Sequence, residues 1–262
     1  MPVNRSFRVP AGSGFGSALG GRVPGDLVAL LAVVFATYAM QFFAATAAVP
    51  DSLRLDPRVW TGWQVWRALT YPLSGYGPAS VWILLELLVL YWFARDLRTA
   101  LGARRFWSLL AAAGATAGAA AAVVDAAATL ASGGPTLAPF SLMQGQRTLL
   151  AIAIAAFASR HADAVIYLFF VLPVRAGAFV WISVLIAFVG FLATKDLGGL
   201  AGLWTATAVG FWRAQPGGGQ PTLRRVRLRA KEALLRWRLD RLRRRSRLRV
   251  VDGNRGGTET IN

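Results

Sequence analysis

The chain has 262 residues, 55% of them hydrophobic and only 16% charged, with a mean hydropathy of +0.47 and a formal net charge of +17. A soluble domain of this length carries more charge and shorter apolar runs, so the composition is that of a polytopic helical membrane protein. The absence of cysteine excludes disulfides, cysteine nucleophiles and thiolate metal sites, and the single histidine, His161, is too little for a zinc site. No cofactor and no metal is expected.

Residues 1–24 are rich in Gly, Ser, Pro and Arg and read as a flexible N-terminal segment without the small-residue cleavage site of a signal peptide. The first predicted span is Leu27–Thr46, near the ~20 residues that a bilayer requires. Ala47–Ser80 is a long, weakly charged loop whose Trp60, Trp63 and Trp66 suit a membrane interface. Val81–Ala94 forms the second span and contains Glu86; a basic stretch, Arg95–Arg105, follows it. The third span, Phe106–Ala131, is dominated by alanine and glycine. Its Gly114 and Gly118 make a small-xxx-small pair that lets another helix approach closely, and its Asp125 is expected in a wet spot near the outer end.

An uncharged link, Ser132–Pro139, leads to the fourth span, Phe140–Ala158, and to a polar hinge, Ser159–Asp163, in which His161 is expected to be solvated. Ala164–Val174 reads as interfacial or re-entrant, because Pro173 and Arg175 divide the apolar run. The fifth span is Ala176–Ala193. The sixth, Leu197–Trp212, opens on Gly198, Gly199 and Gly202, which favour close packing. Residues 213–262 form a basic tail, in which positions 213–249 hold 14 Arg and Lys against Glu232 and Asp240.

The expected fold is all-α: a six-helix membrane bundle at 25–212, followed by a basic amphipathic helix over Thr222–Arg249. Six spans put both termini on one side. That side collects Arg5, Arg8, Arg22, the arginines of 95–105, Arg160, Arg175 and the tail, so the positive-inside rule places both termini in the cytoplasm of a cell inner membrane.

Within the tail, Leu223, Val226, Ala230, Leu234 and Trp237 recur at helical spacing, and Leu228, Leu235, Leu239 and Leu242 broaden that face. Arg224, Arg225, Arg227, Arg229, Lys231, Arg236 and Arg238 fill much of the rest. Such a helix is expected to lie on anionic lipid headgroups, with an acidic protein or ribosomal RNA as the alternative partner. No nucleic-acid-binding motif accompanies it, so sequence-specific recognition of nucleic acid is not expected.

Met143–Ala158 is the segment around which the chain is organised. Its body is apolar, yet Gln144, Gln146 and Arg147 stand at its head, and an arginine in hydrocarbon is costly without partners. Glu86 and Asp196 are the candidates. Either the three form a buried polar cluster between helices, with Glu86 deepest, or each is solitary, snorkelling or facing a water-filled vestibule. Lys195 is expected to stay in water.

Read in order, these segments resemble the rhomboid superfamily over roughly Leu27–Trp212. Trp66-Arg67, within Trp63–Leu73, resembles the tryptophan-arginine motif of that family's large first loop. Trp82–Leu97 followed by Gly102–Phe106 is similar to its second span and the loop after it. Gly145 with Ala155–Ala158 fits its nucleophile-bearing helix, and Leu197–Gly202 its sixth helix. The order, spacing and sidedness of these pieces agree.

For an active member the resemblance implies a serine in a Gly-x-Ser-Gly setting on the fourth helix, activated by a histidine on the sixth. A histidine and an asparagine on the second helix, four residues apart, assist the oxyanion. These positions fall here on Arg147, Asp196, Trp82 and Glu86. Ser141 and Thr148 are off-register, and no histidine lies within the spans. Acyl transfer needs a hydroxyl or thiol beside a base. The resemblance therefore implies an inactive pseudoprotease that binds transmembrane partners as an adaptor or membrane-complex component. The alternatives are an accessory subunit of a large respiratory or photosynthetic complex, and a serine-type intramembrane protease using Ser141 or Thr148. For Trp66-Arg67, interfacial anchoring and a role in holding the first loop stand side by side.

Overall fold

A computed structural model describes residues 24–134, 139–162, 164–168 and 172–215. The N-terminal segment 1–23 and the whole basic helix expected at 222–249, with its lipid-facing arginines, lie outside the described residues. Among the described residues the regular elements are nine α-helices, one 3-10 turn and one two-stranded hairpin.

Helix α1 spans Gly25–Met40 and stops short of the expected Thr46. The reason is local. The amides of Phe42 and Phe43 bond back only three residues, to Ala39 and Met40, and the Thr46 hydroxyl donates to the Met40 carbonyl at 2.9 Å. At the other end of α1, Asp26 accepts from Arg98 Nε at 2.8 Å and from Trp107 Nε1 at 3.0 Å. That one carboxylate joins α1 to the helices that carry these two residues.

The first loop folds into α2 (Ala48–Leu53), α3 (Arg58–Thr61), α4 (Arg67–Thr70) and a 3-10 turn at Tyr71–Leu73. Arg67, only 3% exposed, sits at its centre. Its Nε donates to Gln64, its Nη1 donates to the carbonyls of Asp51 and Arg54 at 2.6 and 3.0 Å, and the Asp56 carboxylate stands 3.2 Å away. The two residues of the motif therefore divide the roles: Arg67 knots the loop, while Trp66 is half exposed on its surface.

Helices α5 (Trp82–Leu101) and α6 (Ala103–Ser132) follow, joined at Gly102, whose φ of +78° suits glycine. Along α6 the buried positions Phe106, Leu109, Leu110, Ala113, Gly114, Ala117, Gly118, Ala121, Ala122 and Asp125 follow a three-four spacing, which makes one continuous packed stripe. Gly114 and Gly118 do admit a close neighbour, but that neighbour is the folded first loop. A methyl group on Gly118 would stand 2.6 Å from the Ala68 carbonyl, and one on Gly114 would stand 2.9 Å from Pro72. Asp125 is 1% exposed instead of wet, and it accepts the Trp60 indole N–H at 3.1 Å. Trp60 thus ties the first loop to α6.

Helix α7 is Gly145–Arg160, beginning after a turn at 140–144 in which Phe140 takes φ +59°. Within the segment expected to be interfacial or re-entrant, β1 (Val165–Leu168) pairs antiparallel with β2 (Leu172–Arg175), Val165 opposite Arg175. Helices α8 (Ala176–Thr194) and α9 (Leu197–Ala214) lie close to their expected limits.

Helix α9 packs along α6 and α7 through small residues. Methyl groups on Gly198 and Gly202 would meet Ala121 at 3.0 Å, and one on Gly210 would meet the Ile152 carbonyl at 3.0 Å. Two described helices, α6 and α8, are long and apolar enough to cross a membrane. α8 buries only Ala176 and Ala187 against the protein and leaves Trp181, Leu185 and Ile186 exposed, the pattern of a helix whose remaining faces meet lipid.

Candidate functional site

Tyr71, Pro72 and Ser74 place their carbonyl oxygens directly against Gly145, where any Cβ would collide with them. The Gly145 amide donates to the Ser74 carbonyl at 3.2 Å. The loop thus crosses over the first turn of α7 and brings its polar head beside α5. Gln146, 3% exposed, completes the clasp. Its Oε1 accepts the Tyr76 amide at 3.3 Å, and its Nε2 donates to the Tyr76 carbonyl at 3.0 Å and to Gln144 Oε1 at 3.1 Å.

Between this head and α5 opens a cleft of about 310 Å³, whose walls include Trp82, Leu85, Glu86, Gln144 and Arg147. Trp82 and Glu86, one helical turn apart on α5, share a side. Trp82 is 71% exposed at the rim. Across the cleft, Arg147 Nε donates to Glu86 Oε1 at 3.3 Å, with the arginine side chain 49% and the glutamate 24% exposed.

Asp196 does not join them. It is 2% exposed and has partners of its own: Oδ1 accepts the Gly199 amide at 2.7 Å, while Oδ2 accepts the Leu142 amide at 2.9 Å and the Ser141 hydroxyl at 3.3 Å. The expected three-residue cluster is therefore a pair. The order of burial is also reversed, since Asp196 is the deepest of the three and Glu86 is not. The physical reason is that Asp196 is the N-cap of α9, where its carboxylate meets an amide that no helical carbonyl can satisfy. Its neighbour Lys195 is exposed, at φ +59°.

The two hydroxyls considered as off-register nucleophiles lie apart from any imidazole. Thr148 is fully buried and donates to the Gln144 carbonyl at 3.1 Å. Ser141 donates to Asp196. His161 ends α7, about 20 Å along the helix axis from Thr148 at 1.5 Å per residue. There its ring lies 4.7 Å from that of Phe157, with Nδ1 3.9 Å from Asp96 Oδ2. Gly198, Gly199 and Gly202 stand at the packed start of α9, against Asp125, Leu142 and Met143 respectively.

Gln146, a buried polar group at the start of α7, is not among the site residues expected from the sequence. The signal was its position: a glutamine one residue before the arginine, at the start of an otherwise apolar helix.

The rhomboid domain family model matches residues 62–216, more than half of the chain, from the first loop to the end of α9. No curated protein matches the chain. The match covers the clasped loop, the cleft and the α6–α9 packing together, and it accounts for apolar helices whose exposed faces carry Trp, Leu and Ile. This chain belongs to the rhomboid superfamily and is a multi-pass, helical membrane protein.

Proposed function

We propose that this rhomboid protein is catalytically inactive and that it binds other membrane-spanning segments at the cleft between α5 and α7, as an adaptor or as a component of a membrane complex. The observation that carries this reading is the content of the site. Where an active relative would have a nucleophile, the chain has Arg147 paired to Glu86, and the chain's single histidine lies at the far end of α7. Nucleophilic catalysis requires a hydroxyl within hydrogen-bond reach of a base. Ser141 meets a carboxylate that already accepts two backbone amides, and Thr148 meets a carbonyl.

The partner role draws on fold analogy and on the exposed apolar rim of the cleft. In this reading the chain crosses the bilayer six times with both termini in the cytoplasm of a cell inner membrane. The tail 213–262 lies on anionic headgroups.

A second reading, a serine-type protease, draws on one observation: Ser141 lines a cavity of about 290 Å³ and donates to Asp196. The two readings separate in membranes. A photo-crosslinking residue placed at Leu85, on the cleft wall, is expected to trap a membrane protein of intact length, whereas the same residue at lipid-facing Trp181 traps none. Trapped fragments cut within a membrane segment, or equal trapping at both positions, would overturn the proposal.

A further inference from the structure

The cleft is richer in hydrogen-bond donors than its walls can use. Only the Nε of Arg147 is engaged; its two terminal nitrogens have no hydrogen-bond partner among the described residues, and the side chain is half exposed. Gln144 is oriented by the amide it accepts from Gln146, and this leaves its own NH₂ without a partner among the described residues and on the same cleft. A guanidinium presents its N–H groups in a planar fork that matches a carboxylate two bonds at a time. Glu86 takes one edge of that fork. The terminal nitrogens are left over, on a residue that lines the cleft together with Gln144.

What lies beside these donors is a helix surface. From Trp82 at the rim, the exposed positions Leu85, Leu88 and Trp92 continue along α5, while Ile83, Leu87 and Leu90 face the interior. The stripe runs about 15 Å at 1.5 Å per residue, a ridge of the kind that packs against another helix. A purely apolar helix would cover the ridge and bury the unpaired donors, and an unmet polar group in hydrocarbon is costly. A helix with an acidic side chain level with Arg147 would cover the ridge and satisfy them. We propose that the cleft selects partner helices that carry an aspartate or glutamate at the depth of Arg147. This rests on the partner-binding reading and deepens it.

The test uses the full chain in phosphatidylcholine liposomes, with donor-labelled protein and acceptor-labelled synthetic membrane-spanning helices of leucine and alanine. These helices differ at a single position near one end: Glu, Gln or Leu. The Glu helix is expected to bind about tenfold more tightly than the Leu helix, or about 1.4 kcal/mol, with Gln between them. Arg147→Met is expected to abolish the Glu preference. Glu86→Gln, which frees the whole fork, is expected to widen it.

Equal binding of Glu and Leu helices to the wild-type protein would overturn the selectivity while leaving partner binding standing; binding of neither would remove both. A Glu preference that survives Arg147→Met places the recognition elsewhere and overturns the inference. So does Arg147-dependent binding of phosphatidylglycerol without a Glu preference, since the occupant would then be a lipid headgroup. The wild-type comparison needs no variant to fold.

Discussion

Replacing Asp196 with alanine removes an N-cap and leaves the buried Leu142 amide without an acceptor. Loss of a cap costs about 0.5–2 kcal/mol, and an orphaned buried donor about 1–3 kcal/mol more. Arg147→Met breaks an ion pair that is half exposed on one side, for which about 1 kcal/mol or less is expected. Thermal unfolding in mild detergent should therefore rank Asp196→Ala well below Arg147→Met, with Asp196→Asn between Asp196→Ala and the wild type, because an amide oxygen still caps. The opposite ranking would show that Arg147 is the structural centre. Part of this was legible beforehand. Opposite charges in apolar runs pointed to Arg147 and Glu86, and the structure pairs them. Asp196 followed by Leu197-Gly198-Gly199 is an N-cap signature at a helix start, and that role competes with an ion pair to Arg147. The Trp60–Asp125 bond could not be read, because it spans 65 residues and depends on how the first loop folds.

Small residues set the spacing between elements. A methyl group on Gly118 would stand 2.6 Å from the Ala68 carbonyl, whereas one on Gly25 meets nothing within 4 Å. Gly118→Ala is expected to destabilise by about 1–3 kcal/mol through overpacking, and Gly25→Ala to have no comparable effect; equal unfolding temperatures would contradict the close approach of the loop to α6. Helix limits were readable where a terminus carried its own chemistry, as for α8 after Arg175 and α9 after Asp196. They were not readable where hydropathy was uniform. The run Leu27–Thr46 breaks at Met40 because of three-residue turns, and the run after Ala164 becomes a hairpin; both look apolar throughout in sequence. The tail is tested as a sequence element: a peptide covering Pro221–Val251 is expected to bind anionic liposomes and to detach as salt is raised, since headgroup attraction is screened. Equal binding to neutral vesicles at high salt would argue against a headgroup surface.

At the scale of the whole molecule, two constructions surround the cleft. One is rigid: Arg67 knots the loop 51–67, and Gln146 and Gly145 fasten the following segment onto α7. The other is open: α5 and α8 expose long apolar faces, and Arg147 and Glu86 meet across the cleft between α5 and α7. The family and its helical membrane character were legible from the order and spacing of segments; the partition of polar groups into a cleft pair and a helix cap was not, because it depends on side-chain direction. Inactivity is tested most directly by exposing the purified full chain in mild detergent to a fluorophosphonate probe, beside an active rhomboid protease as control. The control should be labelled and this chain should not. Labelling that disappears on Ser141→Ala or Thr148→Ala would contradict the proposal and identify the nucleophile.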